Sequence, residues 1–262
     1  GFHRSMDTLG AVIGPSFALL YLYHYPQDYK TLFFIAFVPG LFAVLASFYL
    51  KDKNIIDSRS KISTPFFSFI KYWKVSPSEY RKLVIGLLIF TLFNSSDVFL
   101  LLKAKQSGLD DTMVIGVYIF YNLIYALFAF PIGIVADNIG LKTIFIIGLA
   151  LFATVYFGML VNTNLYYFFG LFFLYGIYAS ATEGISKAWI SNITNKKDIA
   201  TAIGTYSGLQ SICTMFASSL TGLIWYKFGS STAFITTATA TLFVMVYFLT
   251  IPKPTIIINA TT

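Results

Sequence analysis

The sequence predicts an all-α polytopic membrane protein, and three observations carry that reading. Of its 262 residues, 57% are hydrophobic and 11% charged, with a mean hydropathy of +0.74; a soluble domain carries about 25% charged residues. Apolar runs of 17 residues or more recur at roughly 7–23, 31–50, 83–102, 112–135, 143–161, 165–187, 199–225 and 232–251. As helices, such runs match a hydrocarbon core of about 30 Å. They are continuous rather than alternating, which excludes the strands of a membrane barrel.

The first run holds "GAVIGP", where Gly10 and Gly14 suit close helix packing and Pro15 a kink. The chain opens on Gly1 without a leader pattern, so a segment of something longer is expected. After the second run comes the one long polar break, 51–82. Within it, "STPFFSFIKYW" sets Phe66, Phe69, Ile70 and Trp73 on one helical face beside Lys71 and Lys74. Thr64 can cap and Pro65 start that helix, which is expected to lie on the membrane surface, a loop folded over the bundle being the alternative. "SPSE" then offers Ser76 as cap, Pro77 as first helical residue and Glu79 as the reciprocal partner of a capping box for the third run.

The third run is read as one continuous helix carrying Asn94, Ser95, Ser96 and Asp97, with Asn94 and Asp97 on one face. Asp97 lies about 21 Å from Leu83. An acid inside a span is costly, ~2.5 kcal/mol or more if unpaired, and suggests function. It either faces a cavity or is a structural hydrogen-bonded carboxyl. The fourth run carries Tyr118, Tyr121, Asn122 and Tyr125, among which the Asn122 amide ranks above the tyrosines as a binding group.

Between the fourth and fifth runs, "GIVADNIGLKT" (133–143) reverses the chain with almost no loop. Gly133 allows close helix approach, Gly140 a positive φ, Asp137 can meet free amides at a helix N-terminus, and Lys142 can reach lipid phosphate. The sixth run pairs Glu183 with Lys187 at i and i+4. Glu183 lies about 27 Å from Leu165, at the opposite depth from Asp97. That pair is either a structural ion pair or a coupling site. Ser207, Gln210, Ser211 and Thr214 form a polar stripe on the seventh run.

Placing 51–82 in the cytoplasm and alternating from there gives fourteen bases inside and four outside (Lys30, Lys103, Lys105 and Lys227). That asymmetry puts both termini in the cytoplasm. The net charge of +7 then reads as topology, with no solvated basic face for nucleic acid. Cys213 is the single cysteine and the two histidines, His3 and His24, are scattered, so no cysteine or histidine metal site is expected. "DD" at 110–111 has no third acid, and neither H-E-x-x-H nor G-x-S-x-G occurs.

The spacing Gly133, Asp137, Gly140, Lys142 resembles the cytoplasmic signature loop of the major facilitator superfamily, G-x-x-x-D-x-x-G-x-[KR], although Asn138 and Leu141 stand where bases are usual. "GAVIGP" is similar to a glycine-proline motif of the family's fifth helix, without its later glycines. "NSSDVFLLLKA" and "YGIYASATEGISKA" resemble prokaryotic members. The resemblance implies the family's helices five to twelve, with four missing. Residues 1–50 would close an N-terminal bundle, 51–82 would link the halves, 83–251 would form a six-helix bundle and 252–262 a cytoplasmic tail.

It further implies a secondary transporter in the plasma (inner) membrane, moving a small solute by alternating access without a cofactor, protons being a candidate coupling ion. With half of the cavity absent, this chain alone is not expected to transport. Asp97, Asn94, Asn122, Glu183, Lys187 and Gln210 are the candidate substrate or coupling residues. Gly133, Asp137, Gly140, Lys142 and Arg4 form the candidate latch, in which Asp137 meets the first span near His3, Arg4 and Ser5, or else caps the fifth span. A non-transporting receptor on the same scaffold is the alternative, and an integral-membrane enzyme lies further off.

Overall fold

The computed structural model describes residues 2–48, 68–161 and 164–251, with side chains from residues 10–48, 72–161 and 164–251. Ten helices follow one another among these: α1 Phe2–His24, α2 Tyr29–Ser47, α3 Ser68–Val75, α4 Ser78–Phe93, α5 Val98–Gln106, α6 Asp111–Ile139, α7 Leu141–Gly158, α8 Leu165–Asn192, α9 Ile199–Phe228 and α10 Ser230–Thr250. Among the described residues each of the eight apolar runs holds a helix, and the third holds two rather than one. Among the described residues, α2, the α4–α5 pair, α6, α7, α8 and α10 are long and apolar enough to cross a membrane. The protein is an all-α polytopic membrane protein.

α9 has the length of a span but too many hydroxyls for that hydropathy. Ser211, Thr214 and Ser219 each return their hydroxyl to the carbonyl one turn back, at 3.0, 3.0 and 2.8 Å. Ser211 and Thr214 of the polar stripe are thereby satisfied within their own helix, as an apolar surrounding requires.

α8 sits at the centre, packed on α4, α6, α7 and α9, while α10 closes the bundle against α4, α7 and α9. Small residues let α8 in: a Cβ on Gly176 would lie 2.8 Å from the Tyr121 carbonyl oxygen, and one on Gly148 of α7 would lie 2.6 Å from Thr182 Cγ2. Gly86 plays that part for α4 against Tyr247 and Phe248 of α10. The glycines expected to serve this way do not, for among the described residues no heavy atom comes within 4 Å of a Cβ on Gly10, Gly14 or Gly133. Around α8 the core is aromatic. Phe145, Trp189 and Phe248 meet one another, Phe145 and Phe248 at 5.0 Å, and Phe152 lies 4.8 Å from Tyr178.

α1 packs on α6, and α2 has no buried residue. Asp28 caps α2 by accepting from the Thr31 amide and from the Tyr21 hydroxyl, which holds its carboxyl below the usual aspartate value. Helix α3 begins at Ser68, so the expected Thr64 cap, Pro65 and Phe66 lie outside the described residues. Tyr72 and Trp73 bring α3 edge-on to Tyr80 of α4. The expected capping box is not formed: α4 starts at Ser78 after Pro77 with no side-chain cap, and the Ser76 hydroxyl closes α3 instead by donating to the Trp73 carbonyl.

Candidate functional site, a broken helix beneath a tyrosine ladder

The third span breaks at its polar residues. α4 ends with Asn94 as cap at φ −86° and ψ 87°, and α5 restarts after Asp97. Short polar side chains offer the backbone partners other than the helical ladder. Here Asn94, Ser95 and Asp97 each leave for a different helix, while Ser96 bonds within the break. Asn94 Nδ2 donates to the Tyr178 hydroxyl on α8 at 2.9 Å, and the Ser95 hydroxyl lies 3.4 Å from that of Tyr156 on α7. Asp97 Oδ2 accepts from the Tyr121 hydroxyl on α6, and Oδ1 accepts from Ser96 at 3.3 Å. Asn94 and Asp97 thus do not share one helical face, because the helix that would align them is interrupted.

Tyr121 and Tyr125 are one turn apart on α6, about 6 Å by helical rise. Tyr125 donates to Glu183 Oε2 on α8 at 3.1 Å. Asp97 and Glu183 do not meet each other, but their tyrosine partners stand on one turn of α6. Tyr121 also meets Tyr118 and Tyr175, each at 5.3 Å, and Tyr175 meets Tyr178 at 5.2 Å.

The remaining candidates divide. Asn122 is buried and donates to the Tyr118 carbonyl of its own helix at 2.9 Å, whereas the tyrosines beside it hold the two carboxylates. Gln210 is half-buried on α9, and Lys187 is exposed one turn beyond Glu183 on α8. The tyrosine ladder is the feature that ranking by amide chemistry missed. Its trace in the sequence is the i, i+4 spacing of Tyr121 and Tyr125 in an otherwise apolar run.

At the 133–143 turn, Gly140 adopts φ 98° and is at once the last cap of α6 and the first of α7. Gly229 does the same between α9 and α10 at φ 86°. A side chain would strain either joint. Asp137 is exposed and does not N-cap α7, whose cap is Gly140 with no side-chain hydrogen bond. It lines a pocket of about 240 Å³ with Lys142, Trp189 and Asn192. Its expected partner side chains, His3, Arg4 and Ser5, lie outside the described side chains. Lys142 does not extend toward lipid phosphate. Its Nζ donates to the carbonyl of Leu249 at 3.2 Å and to that of Ile251, which caps the negative end of α10.

At the opposite end of α6, Asp110 caps the helix by accepting from the Met113 amide at 2.7 Å. Asp111 pairs with Lys105 of α5 at 2.6 Å and accepts from the Tyr29 hydroxyl of α2 at 3.0 Å. One carboxylate so ties α2, α5 and α6 together.

No solved structure matches the chain. It is 30% identical over 231 residues to an uncharacterized MFS-type transporter of Methanocaldococcus jannaschii, a match that covers 86% of this chain and 56% of that protein. The chain thus spans about half the length of that relative. A profile described as Major Facilitator Superfamily matches residues 83–260, the α4–α10 region. The chain belongs to the major facilitator superfamily.

Proposed function

We propose that the full-length protein is a secondary transporter that carries a small solute by alternating access, with the Asn94–Asp97 break at its solute site. Family membership supports transport, and one observation supports the site: within four residues the broken span reaches α6, α7 and α8 through side-chain hydrogen bonds. A discontinuous helix inside a membrane is tolerated where it lines a cavity or is buried in protein. A solute bound there can exchange these bonds for its own and bias the tilt of α5 against α4. Asp97 is the coupling group, since a carboxylate in a low-dielectric site needs a proton or a new partner whenever its hydroxyl donors leave. The turn with Gly140 and Asp137 faces the cytoplasm in this reading, Asp137 latches to the start of α1, and the Asp111–Lys105–Tyr29 cluster closes the outer side.

The test is uptake into proteoliposomes of labelled cationic, anionic and neutral solutes, with and without a pH gradient. Protein-dependent uptake that a gradient drives uphill is expected. A correctly inserted protein that moves no solute in either condition fits the receptor alternative and removes transport.

A further inference from the structure

We infer that the outer face of α4 binds one two-chain anionic phospholipid, with an acyl chain on either side of Ile89 and the phosphate at Arg81 and Lys82. Two grooves flank that helix. The first, about 420 Å³, runs between α4 and α9 and is lined by Trp73, Ile85, Leu88, Leu92 and Leu209. The second, about 360 Å³, runs between α4 and α10 past Gly86, Phe93, Phe243 and Tyr247. Ile89 lines both and is exposed, so the grooves are neighbours divided by one ridge.

The helical period puts a base at the N-terminal head of each groove. Residues 81, 85, 88 and 92 form one stripe and 82, 86, 89 and 93 the next, so Arg81 stands one turn before Ile85 and Lys82 one turn before Gly86. Both are exposed, as is Lys74 beside Trp73. Among the described residues none of these three bases forms an ion pair, and the first turn of α4 holds a single acid, Glu79. The excess positive charge suits a phosphate. An aromatic side chain of the kind that favours the headgroup layer stands at the same level in each groove. Trp73 heads the first, and Tyr247, whose hydroxyl donates to the Lys82 carbonyl at 2.9 Å, heads the second.

Length separates a lipid from a protein partner. From Ile85 to Phe93 the grooves extend about 12 Å along α4, well short of a hydrocarbon core of about 30 Å. A neighbouring helix, from a second copy or another part of the protein, needs a seam across the whole core, whereas the acyl chains of one leaflet need only its near half. Exposure of Ile85, Ile89 and Phe93 alone shows no more than a face turned to apolar surroundings. Paired grooves with a base above each select two chains and one phosphate.

Native mass spectrometry of the full-length protein released from detergent tests this, with dioleoylphosphatidylglycerol, dioleoylphosphatidylcholine and single-chain lysophosphatidylglycerol titrated separately. One phosphatidylglycerol should bind saturably, at least about tenfold more tightly than either of the others. Arg81→Gln combined with Lys82→Gln should weaken it by about tenfold or more, toward the affinity of phosphatidylcholine. Lys227→Gln, at the far end of α9, should leave it unchanged. Ala240→Trp, which fills the α4–α10 groove, should weaken binding with both bases intact. Equal affinity for phosphatidylcholine, or undiminished phosphatidylglycerol binding in a double variant that melts at the wild-type temperature, would overturn the inference. So would the absence of any saturable lipid, which would show the face to be covered by another segment or, if the spectrum shows a dimer, by a second copy.

Discussion

Tyr121 on α6 donates its hydroxyl hydrogen to the Asp97 carboxylate at the head of α5, so the broken span is tethered at its most polar residue to a helix that is itself packed against α8. Tyr121→Phe keeps the ring contact with Tyr175 and removes only the donor. A hydrogen bond to a charged group contributes about 1.5–3 kcal/mol, or roughly 10- to 100-fold. Vesicle uptake should fall by that order at an unchanged protein level. Uptake equal to wild type would show that the tether plays no part in transport.

Gly176 sits where α8 meets α6 most closely, facing Ile124 and the Tyr121 carbonyl. Gly176→Ala should destabilise the detergent-solubilised protein by about 1–3 kcal/mol, since backbone cannot yield as a flexible side chain can. Gly170→Ala on the same helix meets open space and should be neutral or stabilising by up to about 1 kcal/mol. Thermal unfolding of the two variants checks the order, and equal midpoints would refute the close approach.

Lys142 holds the last carbonyls of α10, so Lys142→Met should fray that helix end. Faster amide hydrogen exchange over 245–250 is the expected readout, with a stability loss of about 0.3–1 kcal/mol typical of a cation at a helix C-terminus. Lys142→Arg should restore protection. Unchanged exchange in the methionine variant would assign Lys142 elsewhere.

Asp111 joins α2 to α5 and α6 through groups that are largely exposed. A double-mutant cycle between Tyr29→Phe and Asp111→Asn should therefore return a small coupling, about 0.2–1 kcal/mol in unfolding free energy. A coupling of zero would mean that the hydroxyl bond is not maintained in solution.

The helices were legible in the sequence because the bilayer imposes length and hydropathy directly, and Gly140 was legible because a turn this short requires positive φ. The break at 94–97 was not. Its residues stood out as polar, but hydropathy averaged over a span does not register four residues that leave the helical ladder. Which glycines are crowded was hidden for another reason: Gly133 and Gly176 look alike in sequence, and only the neighbour that α8 finds in Tyr121 separates them. Lys142 was assigned to the nearest expected anion, lipid phosphate, because the α10 carbonyls lie more than a hundred residues away in the chain.

The most direct test of the account is gradient-driven accumulation by Asp97→Asn in proteoliposomes, measured beside solute exchange without a gradient, using the solute carried best by the wild type. If Asp97 is the coupling group, accumulation driven by a pH gradient is abolished while the variant still inserts at the wild-type level. Accumulation by Asp97→Asn that still follows the pH gradient would contradict the account at its centre.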